Sequence, residues 1–556
     1  MKKYINRILL SGLLVGAALV TTSCGKDYLE TKPTESISDA SAVATVDNAY
    51  KALNGVAKTM TIQHGNYSQG FCGENCIMRL YENYPSQDYY YNQYASGWAA
   101  IHNQTMHTNK STIYNHYAWY YYYQIITQAN VIINRIDAAE GAEGDKKFIK
   151  ASALTFRAYS FEKLIHYYCV RWKDSNNGSA QGLPLRLDES TGDLAPSTMA
   201  EVYAQIYKDL DEAITLFNES GVDRKAGQCW IANLNVAHAV YARAALYKED
   251  YQTALNHAKL AEAGYPLMSN DAYASGFCRP TSEWIFGSYG SADENNWYWS
   301  YGTQYSCNGY YASNTQNGAG TIGRELINRI PDEDFRKSLF LTESGLGIDA
   351  DDMNADSTAY VVDHTFGYIG LTANLAFSNM DAYMKAYNYV QEHAAGGYTE
   401  PYAAGVYHLG AHLKFYVFDT PGVGYLPFIR TSEMLLIEAE SYYFLGQAAN
   451  AQDALVRLNA GSGRNPGYTC SKTGQDLFNE IADYRALELW GEGFQWSDLK
   501  RWKLPVVRHG WDQGGNAHPA VAVTIAPDAV NNWVWEVPLK ETDYNDGYKD
   551  PNGPEA

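Results

Sequence analysis

Asn233–Leu267 reads NLNVAHAVYARAALYKEDYQTALNHAKLAEAGYPL, and its spacing decides the fold. Ala242, Tyr251, Ala254, Ala261 and Pro266 occupy the small, aromatic, small, small and proline positions of a tetratricopeptide repeat. Small residues at those places let two helices approach closely, since no bulky side chain holds the backbones apart. The phrase returns in EMLLIEAESYYFLGQAANAQDALVRL (433–458), with Ala439, Tyr442, Gly446 and Ala451 at the corresponding spacing. Repeats separated by about 170 residues are not consecutive turns of one uninterrupted solenoid, so a large segment is inserted between them.

Working outward, the helical frame extends on both sides. Helix is expected to begin near Asp47. From Ile113, the residues Tyr117, Tyr121, Ile125, Ala129, Ile132 and Ile136 recur at steps of three or four and define one helix face. A second helix over 145–168 closes a hairpin, and a third covers 202–217. Beyond the second repeat, DLFNEIADYRALELWGEGFQWSDLKRWKLP (476–505) reads as an amphipathic helix broken at Gly491–Gly493 and a shorter one ending at Pro505. WVWEVPLKETDYND (533–546) suggests a strand and a turn. Within the insert, TSEWIFGSYGS (281–291) suggests a strand, whereas 368–425 has weak periodicity and reads as irregular with short elements. The expected fold is mostly α: a tetratricopeptide-like helical scaffold carrying an inserted, irregular, loop-rich subdomain.

Composition excludes several functions. Hydrophobic residues make up 46% and charged residues 19% of the 556, a globular rather than disordered balance. A formal charge of −20 without clustered Lys and Arg argues against nucleic acid and disfavours anionic ligands. There are 48 tyrosines against 17 phenylalanines, an excess of the aromatic whose polar tip tolerates a wet surface. Residues 1–23 read as a signal segment: Lys2, Lys3 and Arg7 precede an apolar run from Ile8 to Val20. Thr21-Thr22-Ser23-Cys24 resembles a bacterial lipobox, which implies lipidation of Cys24 and a mature charge near −23 once Lys2, Lys3 and Arg7 are removed. Gly25-Lys26-Asp27 resembles a surface-export signal. Seven cysteines remain, and pairs such as Cys72–Cys76 or Cys278–Cys307 are not assigned by sequence. Cys72 and Cys76 lack a second ligand pair for zinc.

No nucleophile elbow, phosphate loop, zincin helix or dinucleotide fingerprint is present. Ser160-Phe-Glu-Lys163 matches Ser-x-x-Lys spacing but lies inside a helix without companion motifs. No cofactor is expected. Only the run Asp349, Asp351, Asp352, Asn354 and Asp356 invites calcium, and it lacks the glycine and terminal glutamate of an EF-hand loop.

Binding has better support. A sugar ring presents an apolar C–H face rimmed by hydroxyls, so its site wants flat aromatics beside amides and carboxylates. Two loops supply that mixture. The first, 84–110, carries Tyr89, Tyr90, Tyr91, Tyr94 and Trp98 beside Gln87, Asp88 and Asn103. The second carries Trp297, Tyr298, Trp299, Tyr301 and Tyr305 beside Asp293 and Glu294. The ligand-contact candidates are Tyr91, Tyr94, Trp98, Asn103, Trp297, Trp299, Tyr301 and Tyr305. At roughly 1 kcal/mol per stacked platform, a few platforms give micromolar-to-millimolar affinity, roughly −4 to −8 kcal/mol. Trp119, Tyr120–Tyr123, Trp284, Trp490, Trp496 and Trp502 are assigned instead to core or scaffold.

Several phrases together resemble the SusD-like (RagB/SusD) nutrient-binding outer-membrane lipoproteins of Bacteroidetes. They are Glu492, Gly493, Asp498, Leu499, Arg501 and Trp502; Arg430, Glu433, Ala439 and Glu440; and Asn130, Arg157, Ala158, Leu164, Tyr168 and Pro184. Tyr484 and Gln495 stand where relatives often have Glu and Arg. The resemblance implies a signal peptide (1–23), a lipidated tether (24–46), an N-terminal helical part (47–266), an inserted ligand-binding subdomain (267–429) and a C-terminal helical part (430–556). It further implies four helix pairs, an anchor in the outer membrane facing the cell surface, and capture of oligosaccharide without catalysis. A SusC-like TonB-dependent transporter is the implied partner. A surface glycoside hydrolase, or a peptide-binding member of the family, are the competing expectations.

Overall fold

Helices that follow one another in sequence also follow one another in space. The computed structural model describes residues 42–64, 71–90, 99–289, 306–307, 320–354, 360–363, 368–371, 376–377, 380–393, 409–416 and 424–547. The frame begins with α1 (Val46–Thr59) and α2 (Ile113–Arg135), followed by α3 (Glu143–Tyr168) and α4 (Met199–Ser220). The pair α5 (Leu234–Tyr247) and α6 (Tyr251–Ala261) comes next. Helix α7 (Met380–His393) belongs to the insert, and α8 (Thr431–Phe444) and α9 (Ala448–Asn459) complete the four expected pairs. Each frame helix packs on its predecessor and its successor, with α6 lying directly on α8.

Local chemistry sets the ends. Thr45, Thr112, Asn233 and Asp250 cap their helices by accepting a backbone N–H two or three residues into the first turn. Thr198 and Glu201 form a reciprocal capping box on α4, which stops at Gly221 in the left-handed region (φ 64°). The small residues Ala242, Ala254, Ala261, Ala439 and Ala451 are all fully buried, where the repeat pattern requires close approach. Across the interrupted joint, Tyr251 stacks on Phe444 at 4.5 Å and Lys259 Nζ donates to the Tyr442 hydroxyl at 2.5 Å.

The insert leaves and re-enters through one antiparallel ladder. With β1 (Tyr89–Tyr90) treated below, β2 (Trp284–Gly287) pairs with β4 (Pro427–Arg430), Arg430 opposite Trp284. Trp284, Ile285 and Phe286 are at most 2% exposed, so both faces of β2 are covered and its alternation does not separate core from solvent. A second, smaller core forms around Cys307, Leu341, Leu346, Leu413 and Tyr416. It includes Ala382, Ala386 and Val390 of α7, a helix in a segment expected to be irregular. A stripe at four-residue steps was there in the sequence, diluted by Tyr, Asn and Met on either side. The C-terminal stretch also differs from expectation. Trp535 and Glu536 donate their N–H groups singly to Tyr167 and His107 at 2.8 and 2.9 Å, and Leu539–Tyr544 is helical after Pro538.

The phrases shared with the SusD-like pattern are internal clamps. Arg157 grips Asp209 at 2.6 and 2.8 Å and Asn130 at 2.9 Å. Arg243 holds Glu433 with two 2.8 Å bonds. With α10 (Gly474–Glu488) and α11 (Gln495–Trp502) in place, Asp498 bridges Arg485 and Arg501, while Arg501 and Trp502 both reach Glu440 of α8. Arg430 contacts Glu283, Glu488 and Glu492, and the cluster extends to Lys414, Arg464, Arg336 and Asp334, every member at most 2% exposed by side chain. Burial penalises all these charges, yet Arg464, Arg430 and Arg336 outweigh it and hold Glu488 well below the usual carboxylate range. Lys414 is drawn down by burial to about 8. Such a set is stable as a whole and costly to break singly.

All seven cysteines after Cys24 are free thiols, and only Cys470 is not buried. Burial pushes Cys72, Cys76 and Cys169 up to about 12 and Cys229 up to about 11. The thiolate is the reactive form. A chain beginning after Cys24 is therefore expected to give one thiol, Cys470, to a disulfide reagent while native and all seven once unfolded. Two or more fast native thiols would contradict this burial.

Candidate ligand-binding site

Described residues that flank the two aromatic stretches pair in one short ladder. Strand β1 pairs antiparallel with β3 (Thr321–Ile322), Tyr89 opposite Ile322 and Tyr90 opposite Thr321. Tyr90 immediately precedes residues 91–98, and Thr321 follows Gly320, the first described residue after 308–319. Thr321 also bridges Ala411, and the Ile322 N–H donates to the Gly410 carbonyl at 2.9 Å. Asn516 locks the junction by donating to the Ile322 and Leu409 carbonyls, both at 3.0 Å, and accepting the Arg324 N–H at 2.9 Å.

Tyr91, Tyr94, Trp98, Trp297, Trp299, Tyr301 and Tyr305 lie outside the described residues, as do Cys24 and Asp356. Asn103 is half-buried and occupied within the fold: its amide donates to the Ala520 carbonyl at 2.9 Å, and its oxygen accepts from Arg508 at 3.3 Å. Tyr89 and Tyr90, grouped by sequence with the exposed platforms, are instead 4% and 2% exposed. Tyr89 stacks on Trp490 at 4.8 Å, and Tyr90 packs with Ala517 and Val521. Tyr84 is also buried, stacked on His102 at 4.9 Å. Trp119, Trp284, Trp490 and Trp496 are core, as expected. Asp349 and Asp352 are spent on local turns, and no cluster of three or more metal-ligating side chains occurs among the described residues.

The base of the first loop is held from below by α11. Gln495 Oε1 accepts the N–H groups of Gln87 and Asp88 at 3.1 and 2.8 Å, and its Nε2 donates to Asp88 Oδ2 at 2.5 Å. The indole N–H of Trp490 donates to the Asp88 carbonyl at 2.7 Å. Arginine, which offers donors only, would leave the two loop N–H groups without their acceptor. The departure at Gln495 was thus the sequence signal of this contact.

Burial pushes Asp88 up to about 6, against the hydrogen bond from Gln495. Its folded value lies above the ordinary 3.8, so the native state holds the proton more tightly and this contribution to stability is lost as pH rises through that window. Asp88→Asn removes the titration. Its melting temperature is expected to gain on the parent from about pH 4 to about pH 7, and a pH-independent difference would contradict the assignment.

Beside this ladder lies a cleft of about 370 Å³ between α10, α11 and 83–89. Trp490, Tyr89, Phe478 and Phe494 supply apolar walls, and Asp88 and Gln495 polar ones. Sequence reasoning assigned Trp490 to scaffold and did not anticipate the cleft, because its walls come from segments some 400 residues apart.

Residues 27–246 match the family model described as "Starch-binding associating with outer membrane", and residues 247–552 match the model of the SusD family. A SusD-like carbohydrate binding protein from Bacteroides vulgatus ATCC 8482 superimposes with a TM-score of 0.69 at 21% identity, covering 92% of this chain and 99% of its own. A SusD superfamily protein from Bacteroides thetaiotaomicron VPI-5482 gives 0.64 at 18%, covering 92% and 100%. A laminarin binding SusD-like protein gives 0.58 at 18%, covering 91% and 99%. At these identities the structures attest the fold. No protein of curated function matches the chain. With one family model spanning 247–552 and the interrupted helical frame in place, the chain belongs to the SusD family.

Proposed function

We propose that this protein is a lipid-anchored, cell-surface glycan-binding protein that captures oligosaccharide and passes it to a SusC-like TonB-dependent transporter, without chemical turnover. The observation that carries the reading is the β1–β3 ladder, which draws together the bases of two loops rich in tyrosine and tryptophan. Family membership supports it, as does the likeness to a laminarin binding relative. Cys24 supplies the anchor; among the described residues no helix is long and apolar enough to cross a membrane. The frame helices contact the transporter and the loops contact the glycan.

Calorimetric titration of Trp98→Ala and Trp297→Ala tests the site. Each is expected to weaken oligosaccharide binding about fivefold, the loss of one stacked platform worth roughly 1 kcal/mol. Parental affinity in both variants would overturn the assignment of the loops.

A further inference from the structure

The cleft beside the ladder has a chemistry of its own. Its volume of about 370 Å³ is at the small end of the range of about 300–1,000 Å³ typical of ligand pockets. The walls include the rings of Tyr89, Trp490, Phe478 and Trp502. Tyr89 and Trp490 are fixed by their mutual stacking, and Phe478 and Trp502 meet edge-on at 5.2 Å. The polar lining pairs each cation with an acid, Arg329 with Asp483 at 2.7 and 3.0 Å and Arg485 with Asp498 at 2.6 Å, beside Asp88 and Gln495, so aspartates outnumber arginines there. Asp88 is 4% exposed; its Oδ2 takes the Gln495 amide, while its Oδ1 accepts no hydrogen bond among the described residues. A carboxylate at the cleft with an oxygen still open can accept a hydroxyl or N–H from a ligand. Acids in the lining and a net charge of −20 disfavour an anion.

We infer that this cleft is a second saccharide site, accepting one neutral pyranose unit whose C–H face lies on the aromatic wall and whose hydroxyl donates to the Asp88 carboxylate. The inference rests on the glycan-binding reading and adds to it a pocket scaled to one sugar unit, beside the β1–β3 ladder.

Saturation-transfer NMR on the full chain, with methyl glucoside, methyl galactoside, methyl mannoside, glucuronate and glucosamine as probes, tests it. At least one neutral glycoside is expected to receive saturation at its ring C–H protons, with little transfer to glucuronate. Ala486 of α10 lines the cleft and is half-buried, so Ala486→Trp fills it and is expected to weaken that signal at least tenfold. Asp88→Asn, nearly isosteric, keeps the test valid if the tryptophan variant misfolds, and should weaken the signal at least fivefold. No transfer to any neutral glycoside, a preference for glucuronate or glucosamine, or an undiminished signal in a folded variant would each overturn the inference. Oligosaccharide binding measured on the same parental sample separates the two readings: its retention without a cleft signal overturns only the cleft, and its absence overturns the glycan-binding function.

Discussion

Arg430→Ala is expected to destabilise the protein by about 3–5 kcal/mol, the cost of leaving buried carboxylates without their cation. Arg430 donates to Glu283 at 2.5 Å, to Glu488 at 3.0 Å and to both oxygens of Glu492 at 2.7 and 2.8 Å, all in a cluster closed to solvent. Its position explains why so much charge is concentrated there. Arg430 ends β4 and opens α8, so it stands where the insert rejoins the frame, and Glu283 stands where the insert departs. Glu492 brings in the α10–α11 turn, which also receives Lys414 from the insert. Lysine at 430 would not substitute, because a single ammonium does not present the planar fork that serves three carboxylates. Thermal denaturation checks the expectation: Arg430→Ala and Arg430→Lys should both melt below the parent, the alanine variant by more. Parental melting of Arg430→Ala would show that the cluster does not fasten the insert.

Gly320→Val is expected to cost about 1–3 kcal/mol by overpacking and to weaken glycan binding more than any single loop aromatic. A Cβ on Gly320 would sit 2.0 Å from Tyr89 Cζ, so the ring must leave its stack on Trp490. Tyr89 is half of the β1–β3 ladder, and displacing it separates the loop bases that the ladder joins. The substitution touches no loop aromatic proposed to contact oligosaccharide, and the cleft ring it displaces, Tyr89, is read separately by the monosaccharide signal. Binding loss in a folded Gly320→Val protein would therefore report the geometry between the loops rather than a missing platform. Circular dichroism establishes folding and calorimetric titration reads the loss; a folded variant with parental affinity would show that the ladder does not organise the site.

The frame was legible because its physics is local. Small residues at Ala242, Ala254, Ala261, Ala439 and Ala451 follow helical spacing, and the structure buries each of them. The breaks at Gly491 and Gly493 were legible for the same reason: both adopt φ near +80°, and a Cβ on either would press on Phe415 or Met78. What the sequence left obscure depends on distant partners. Tyr89 and Tyr90 sit in a polar, turn-rich stretch that reads as exposed, and distant residues such as Trp490, Ala517 and Val521 of the C-terminal part help bury them. Helix α7 is visible once the second core gives Ala382, Ala386 and Val390 something to pack on. The cleft was hidden because its walls are scaffold residues whose function as a surface depends on what α10 and α11 leave unfilled.

A binding screen of the full chain against oligosaccharides and peptides, with product analysis of every glycan incubation, tests the central claim most directly. The account predicts saturable binding to at least one oligosaccharide class, no peptide binding and no glycan product. Peptide binding without glycan binding, or product release abolished by a single carboxylate substitution, would contradict it.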